Sequence, residues 1–168
     1  MKKKIRAKVP DFILEILKKD QNHFRIRKET LCNKILLNFS NNITINTFKN
    51  PLFDTFEYFQ FSLDKTGQEL YTKLIEKLQI NNESELIREI FLNYALSHSF
   101  IREAHLFKEK LKFFQYLIEK KENLKLHTPD GFIESKIKNI FRDKEMGYIL
   151  VQLNNDKIYY LSHIQVLN

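Results

Sequence analysis

The segment KKIRAKV at residues 3–9 alternates strictly between cationic and apolar side chains. A period of two is typical of a β-strand with one face buried and the other in solvent. The apolar face is predicted to carry Ile5, Ala7 and Val9. The outer face is wholly cationic and is predicted to carry Lys4, Arg6 and Lys8.

Two helices are predicted to follow this strand. Pro10 and Asp11 suit a helix start, because proline is tolerated at the first helical position and an acidic side chain favours the positive end of the helix dipole. Apolar residues recur at helical spacing directly after them. A polar connection at residues 20–22 then separates this helix from a second amphipathic helix, predicted from about Arg27 to Phe39.

The same order returns about 54 residues later, which indicates an internal repeat. Residues 58–63 alternate again, GQELYTKLIEKL follows as a helix, and NNESELIREIFLNYAL supplies a second one, with Asn82 or Ser84 as its cap. Ile26 and Ile80 are 54 positions apart, and KILLNF at 34–39 matches EIFLNY at 89–94 at an offset of 55, within one residue of it.

These segments resemble the ribbon-helix-helix fold of the Arc, MetJ and CopG repressors over residues 3–39 and 57–96. The resemblance implies that the two copies pair their strands into an antiparallel ribbon that enters the DNA major groove. Because one copy cannot bury its helices alone, a tandem pair implies a pseudo-dimer within one chain.

The resemblance also implies which side chains contact nucleic acid. Arg6 is expected to read guanine and Gln60 adenine, while the start of the second helix faces a phosphate. The second strand lacks cations, so a symmetric palindromic site is not expected. The expected contacts are Lys2, Lys3, Lys4, Arg6, Lys8, Arg27, Lys28, Thr30, Tyr58, Gln60 and Ser62. The alternative is a solubilising edge strand whose charges only prevent aggregation.

Residues 41–56 are rich in Asn and contain Pro51, so they are predicted to be a linker, with a short extra strand at 43–45. A connecting helix is predicted over 99–122, with a phenylalanine-rich stripe that suits a core. From residue 123 the period switches to two, and four strands with turns at 129–131 and 154–156 are predicted to form a small antiparallel sheet or barrel.

This last third is similar to the WYL domain, an Sm-like β-barrel of bacterial regulators, through KLKFFQYLIEKKENLKLH and GYILVQLNNDKIYYLSHIQVL. The family's Trp-Tyr-Leu motif would fall on 147–149, without its tryptophan, and two late arginines are replaced by Tyr160 and His163. A ligand or nucleic-acid site of this domain would use Lys136, Lys138, Arg142, Tyr148, Tyr160 and His163. A solvated charged face is the alternative for the three cations.

Composition argues against several other classes of protein. The three glycines lie too far apart for a phosphate-binding loop, and His98 and His105 are too widely spaced on one helix to share a metal ion. The lone Cys32 has no partner cysteine and nothing that activates its thiol. We therefore expect no cofactor, no metal and no enzymatic activity.

Hydropathy and charge predict where the chain is located and what kind of partner it binds. With no long apolar run, the chain is expected to be cytoplasmic and to avoid membranes. The net charge is +7, and the basic surplus lies in residues 1–50, with 12 Lys and Arg against 4 Asp and Glu, whereas residues 51–100 hold 4 against 8. A basic segment of this kind favours a polyanionic partner.

The sequence thus predicts an α+β protein with ribbon-helix-helix units at 1–40 and 57–98, the linker at 41–56, the helix at 99–122 and the WYL-like barrel at 123–168. The expected function is a DNA-binding transcriptional regulator. Two alternatives stay open. One is an RNA-binding accessory protein that modulates an RNA-guided, CRISPR-type effector. The other is an antitoxin-like or other protein-interaction module. Double-stranded DNA is the favoured partner, single-stranded RNA and a protein effector are the others, and further homodimerisation stays open.

Overall fold

The two alternating segments form strands that pair with each other. Strand β1 spans Lys4–Pro10 and strand β2 spans Phe56–Ser62. They are antiparallel, and the register places Lys4 opposite Ser62 and Pro10 opposite Phe56. We call this two-stranded sheet the ribbon. The predicted alternation is confirmed, since the inner face buries Ile5, Ala7, Val9, Phe59 and Phe61.

The computed structural model describes residues 1–41, 43 and 55–167. The chain divides into two compact units, Met1–Ser97 and His98–Asn168. The described residues form six helices and three small antiparallel sheets, which confirms the predicted α+β class. Most of the predicted linker lies outside the described residues, and so does the strand predicted at 43–45, apart from Ile43.

Each strand of the ribbon is followed by two helices. Helices α1 (Asp11–Phe24) and α2 (Lys28–Phe39) follow β1. Helices α3 (Lys65–Leu78) and α4 (Glu83–Leu96) follow β2. Asp64 caps α3 by accepting from the Gly67 N–H at 2.7 Å, and Asn82 caps α4 by accepting from the Ser84 N–H at 3.0 Å.

The turns inside the two strand-helix-helix segments share one geometry. Helix α1 ends at Arg25 and helix α3 at Gln79, 54 positions later, and both residues adopt left-handed backbone angles (φ 55° and 50°). In each turn the N–H of the next residue, Ile26 or Ile80, donates to the carbonyl five positions earlier at 3.4 Å. This is a Schellman-type helix end, used twice without glycine. The repeat seen in the sequence is therefore a repeat of backbone structure.

Hydrogen bonds from the second helix of each segment reach the strand of the other segment. The Asn33 side chain in α2 donates to the Ser62 carbonyl of β2 at 2.9 Å. The Arg88 Nε in α4 donates to the Lys8 carbonyl of β1 at 3.2 Å. Asn33 and Arg88 are 55 positions apart, and Lys8 and Ser62 are 54 apart, so the two bonds are counterparts. Each segment thus holds the strand of the other.

The core of the first unit lies under the ribbon. Aromatic rings of β2 pack on α4, with Phe59 and Phe61 at 5.4 and 5.6 Å from the Phe91 ring. At the base of this core the Tyr94 hydroxyl donates to the fully buried Asp20 carboxylate. The other buried apolar residues of α2 and α4 include Leu31, Ile35, Leu36, Leu86, Ile87 and Ile90. One face of α2, one face of α4 and the inner face of the ribbon are buried together, so the two segments share one core.

In the second unit, two helices replace the predicted connecting helix. Helix α5 spans Ser99–Leu106 and helix α6 spans Lys108–Lys120, with a break at Phe107 (φ −120°, ψ 34°). The break lets α5 contact strand β6 (Ile149–Leu153) while α6 contacts strand β5 (Ile137–Arg142). A single continuous helix over 99–122 was therefore the wrong prediction, because helical periodicity does not show which strand each turn will meet.

Six strands replace the predicted four in the second unit. They are β3 (Leu124–Thr128), β4 (Gly131–Ser135), β5 (Ile137–Arg142), β6 (Ile149–Leu153), β7 (Ile158–Tyr160) and β8 (Gln165–Leu167). Two three-stranded sheets result, in the orders β4-β3-β8 and β5-β6-β7.

The sheets do not join into the closed barrel expected for this third, as far as the described residues show. The chain changes sheet at Lys136, between β4 and β5, and again in the 3₁₀ turn Leu161–His163, between β7 and β8. Each change ends one hydrogen-bonded ladder and starts another, which splits two of the predicted strands. Residues facing inward from both sheets form one core with α6, through Phe114 and Leu117.

Candidate nucleic-acid interface

The outer face of the ribbon brings six predicted contact residues together. The register pairs Lys4 with Ser62, Arg6 with Gln60 and Lys8 with Tyr58. Ser62 is half-buried and the other five are exposed. We call these six residues the ribbon face. They lie together because the inward-facing residues of both strands are held in the core, which turns every second side chain to solvent.

Charge on the ribbon face belongs to one strand. All three cations stand on β1, while β2 contributes a phenol, an amide and a hydroxyl. Tyr58 is 71% exposed, and the Arg6 guanidinium lies 5.2 Å and the Lys8 ammonium 6.0 Å from its ring centre. These cation–π contacts orient the two cations over the second strand. The face thus combines positive charge, an exposed guanidinium and an exposed aromatic ring.

A groove beside the ribbon gathers further predicted residues. Its cavity volume is about 670 Å³, and Lys2, Arg27, Thr30 and Ser62 line it. Arg27 precedes the first turn of α2, where the helix has N–H groups without helical partners. Acidic groups from Glu29 and Asp64 also line the groove, so it is of mixed charge.

Lys34 belongs to the same groove and was not predicted as a contact. It follows Thr30 by four positions and Arg27 by seven, a spacing that places all three on one side of a helix. That spacing was the available signal.

Lys28 and Lys3 are placed away from the ribbon face. The Lys28 ammonium lies 4.9 Å from the ring centre of Phe59, whose side chain points inward. The Lys3 ammonium lies 3.2 Å from Glu83 and 4.6 Å from the ring centre of Tyr71. Burial, with Glu83 nearby, raises the pKa of the Tyr71 hydroxyl. Lys3 therefore serves the packing of the ribbon on α3 and α4 in this structure.

Three of the six candidate residues of the second unit lie together, because the Tyr160 ring contacts both Tyr148 and His163. Tyr148 is 1% exposed and packs in the core, so its ring is closed to solvent. Next to it, Tyr160 donates to the Asp143 carboxylate at 3.0 Å, and the His163 ring lies 5.5 Å from the Tyr160 ring. Burial, with Asp143 as acceptor, raises the pKa of the Tyr160 hydroxyl.

The other three candidates are cations on or beside strand β5, and Arg142 directly precedes Asp143, the acceptor of the Tyr160 hydroxyl. Lys138 forms a 2.8 Å ion pair with Asp156, and Arg142 is exposed at the end of β5. Lys136 is half-buried at the sheet change, where its carbonyl accepts from the Asn154 N–H at 3.0 Å. The sequence did not predict the neighbouring cluster in which Tyr159 and Lys157 both donate to Asp130, at 2.7 and 3.3 Å. Asp130 lies 27 positions from Lys157 and 29 from Tyr159, and no sequence pattern indicates that they meet.

Three further observations concern the cysteine thiol, metal-binding side chains and membrane-spanning helices. Burial raises the pKa of the Cys32 thiol far above its ordinary value. Such a thiol stays protonated and unreactive. Among residues 1–41, 43 and 55–167, no cluster of three His, Cys, Asp or Glu side chains is placed to hold a metal ion. Over the same residues, no helix has the length and apolar character needed to cross a bilayer.

Comparison with known proteins gives one informative likeness. No protein-family model matches the chain, and no curated protein matches it in sequence. Among solved structures, the chain is similar to one described as "Crystal structure of a CRISPR Cas-related protein", with a TM-score of 0.61 and 8% identity. The match covers 98% of this chain and 62% of that one, so this chain spans less than two thirds of its length. At this identity the likeness is one of fold.

Proposed function

We propose that this protein is a non-enzymatic nucleic-acid-binding protein that lays the ribbon face against duplex DNA, as a transcriptional regulator does. The observation that carries the proposal is the register, which sets Lys4, Arg6 and Lys8 side by side with Ser62, Gln60 and Tyr58 on one open face.

The dimensions of the DNA major groove support this proposal. A two-stranded ribbon is narrow enough for the DNA major groove. Side chains on one face of a strand repeat every two residues, about 6.8 Å apart. That spacing is close to two base steps of about 3.4 Å. Three cations in a row can therefore follow the groove, with Arg6 at a base edge and the lysines at bases or phosphates.

The first unit is proposed to be a ribbon-helix-helix pseudo-dimer. Support comes from the antiparallel ribbon, the two matching helix ends at Arg25 and Gln79, and the reciprocal bonds from Asn33 and Arg88. A chain that supplies both halves needs no second copy to bury its helices. Dimerisation through another surface is compatible with this arrangement.

A second candidate function is an RNA-binding accessory protein that modulates a CRISPR-type effector protein. The fold likeness to a CRISPR Cas-related protein favours it, together with the WYL resemblance of the second unit. Under this proposal single-stranded RNA replaces duplex DNA as the partner. A protein-interaction module, without affinity for either nucleic acid, is the remaining candidate.

Fluorescence anisotropy with labelled duplex DNA and single-stranded RNA, each at two salt concentrations, separates these functions. The test variant is Lys4→Ala/Arg6→Ala/Lys8→Ala. The matched control is Lys18→Ala/Lys73→Ala/Lys77→Ala, which removes three equally exposed cations from α1 and α3. Duplex binding should fall steeply with salt, and the test variant should lose it while the control keeps it. The slope of the logarithm of the binding constant against the logarithm of salt concentration should become shallower by about 0.9 for each phosphate contact removed.

The other outcomes decide against the duplex proposal. RNA binding that survives the test variant would move the function to the RNA-binding candidate. Equal losses in both triple variants would mean that net charge, and not the ribbon face, drives binding. Absence of binding to both probes would favour the protein-interaction module.

A further inference from the structure

We propose that the ribbon face binds duplex DNA in one fixed orientation and recognises a non-palindromic site, with β1 facing a guanine-containing half and β2 an adenine-containing half. This inference rests on the proposed function. It follows from how charge is distributed over a nearly twofold-symmetric fold.

The symmetry axis of the ribbon can be located from its register. A residue of β1 and its counterpart in β2 differ by 54 positions, and Arg6 is paired with its own counterpart, Gln60. The axis therefore passes between these two residues. Lys4 is the counterpart of Tyr58, and Lys8 that of Ser62, so a half-turn about the axis exchanges the two ends of the ribbon.

A half-turn would leave the backbone nearly unchanged but would change every charge on the ribbon face. A symmetric ribbon binds equally well in both orientations. Here the rotation places an amide where a guanidinium was, and a phenol and a hydroxyl where two ammonium groups were. Arg6 pairs best with guanine O6 and N7, whereas Gln60 pairs best with adenine N6 and N7. The two orientations thus differ in the bases they read.

Helices α2 and α4 carry the same asymmetry. With an offset of 55, cations beside the ribbon in the first segment correspond to neutral or acidic residues in the second. The pairs are Arg27 and Asn82, Lys28 and Glu83, and Lys34 and Glu89. Burial, with Glu85 nearby, raises the pKa of the Glu89 carboxyl. The second segment keeps one cation beside the ribbon, Arg88, whose Nε donates to the Lys8 carbonyl. The first segment therefore offers more positive charge to a phosphate backbone.

The chain offers a matched pair of positions for attaching a DNA-cleaving iron chelate. Glu15 and Glu69 are counterparts 54 positions apart, and both are exposed glutamates in the second turn of their helices, α1 and α3. Each lies five residues after the N-cap of its helix, Pro10 or Asp64, which is about 7.5 Å along the helix axis. Neither belongs to the ribbon face or the groove. The native Cys32 is 1% exposed, so Glu15→Cys and Glu69→Cys each present one reactive thiol.

The experiment has two readouts on the full chain. Selection from a random-sequence duplex pool with the unmodified protein gives a consensus, which should be non-palindromic. On a selected duplex, chelate at position 15 should cut on one side of the site and chelate at position 69 on the other, with at least a tenfold bias each. A Gln60→Arg variant should lessen that bias, because the centre of its ribbon face becomes symmetric.

A palindromic consensus, or the same two-sided cleavage pattern from both positions, would overturn fixed orientation while leaving the duplex-binding function intact. Failure of the pool to yield any bound duplex would instead refute the proposed function, and with it this inference. Wild-type protein treated with the same reagent controls for labelling of Cys32.

Discussion

Arg6 and Gln60 lie directly opposite each other across the ribbon and are also counterparts in the internal repeat. A fold that is nearly symmetric about this pair therefore carries a cation on one side of its axis and an amide on the other. The second segment supplies a second strand that completes the core. The outer positions of the two strands have different chemistry, since only the inward positions are constrained by packing.

Arg6→Ala should weaken binding to a selected duplex by about 1–3 kcal/mol and remove discrimination at one base pair, because the variant cannot make the proposed bidentate contact to guanine. Arg6→Lys should keep the salt dependence but lose most of the base discrimination, since an ammonium is a point charge. Competition with duplexes changed at single positions measures both effects. Unchanged discrimination in Arg6→Lys would show that Arg6 contacts phosphate only.

The first unit could be predicted well because its signals are local. Alternation fixes which residues of β1 face inward, and Pro10 and Asn82 mark helix starts through their own backbone and side-chain chemistry. The turns at Arg25 and Gln79 carry no glycine, and there the repeat itself, with isoleucine after each, was the usable signal.

The second unit was harder because its decisive features depend on tertiary contacts. The break at Phe107 has no proline or glycine to announce it, and the sheet changes at Lys136 and at 161–163 occur inside continuous alternating segments. Periodicity shows that a residue alternates but not which sheet receives it. Tyr148 was expected at a ligand site because of its residue type, but periodicity did not show that its side chain would enter the core.

Asn33→Ala should lower the free energy of unfolding by about 1–3 kcal/mol, because buried polar groups lose their partners. The Asn33 amide donates to the carbonyls of Glu29 and Ser62 at 2.8 and 2.9 Å, and its oxygen accepts from the Asp64 N–H at 3.0 Å. Denaturant unfolding measures the loss.

Asn38→Ala is the matched control for this loss. It removes an amide from the same helix, and that amide donates to the Lys34 carbonyl at 2.7 Å, within α2. Its effect should stay within about 0.5 kcal/mol. Equal effects of the two substitutions would mean that the link from α2 to β2 adds nothing to stability.

Lys110→Met should stabilise the chain most below pH 8, and its advantage should shrink as the pH rises toward 10. Partial burial lowers the pKa of Lys110 from its ordinary 10.5 to about 8, while Glu103 opposes the shift. Between these values the unfolded chain holds a proton that the folded chain has released. Stability of the wild type therefore rises with pH in that window.

Unfolding of Lys110→Met and wild type, followed at several pH values from 7 to 10, measures this difference. The contributions of the other lysines to the pH dependence of stability cancel, because both proteins contain them. Lys112→Met, at an exposed position of the same helix, should show a constant difference. A constant difference for Lys110→Met as well would mean that Lys110 is solvated in the folded chain.

Gly67→Ala should destabilise the wild type by about 1–3 kcal/mol but be neutral or stabilising when Asn33 is also alanine. A Cβ on Gly67 would overlap the Asn33 Oδ1 and lie 3.1 Å from the Asp64 Oδ1. With the Asn33 amide removed, the main overlap disappears and alanine regains its helix preference of about 0.5–1 kcal/mol over glycine. Unfolding of the four proteins of this double-mutant cycle measures the coupling. Strictly additive effects would show that the added methyl group is accommodated without displacing Asn33, and that the glycine is not required by the contact between α2 and α3.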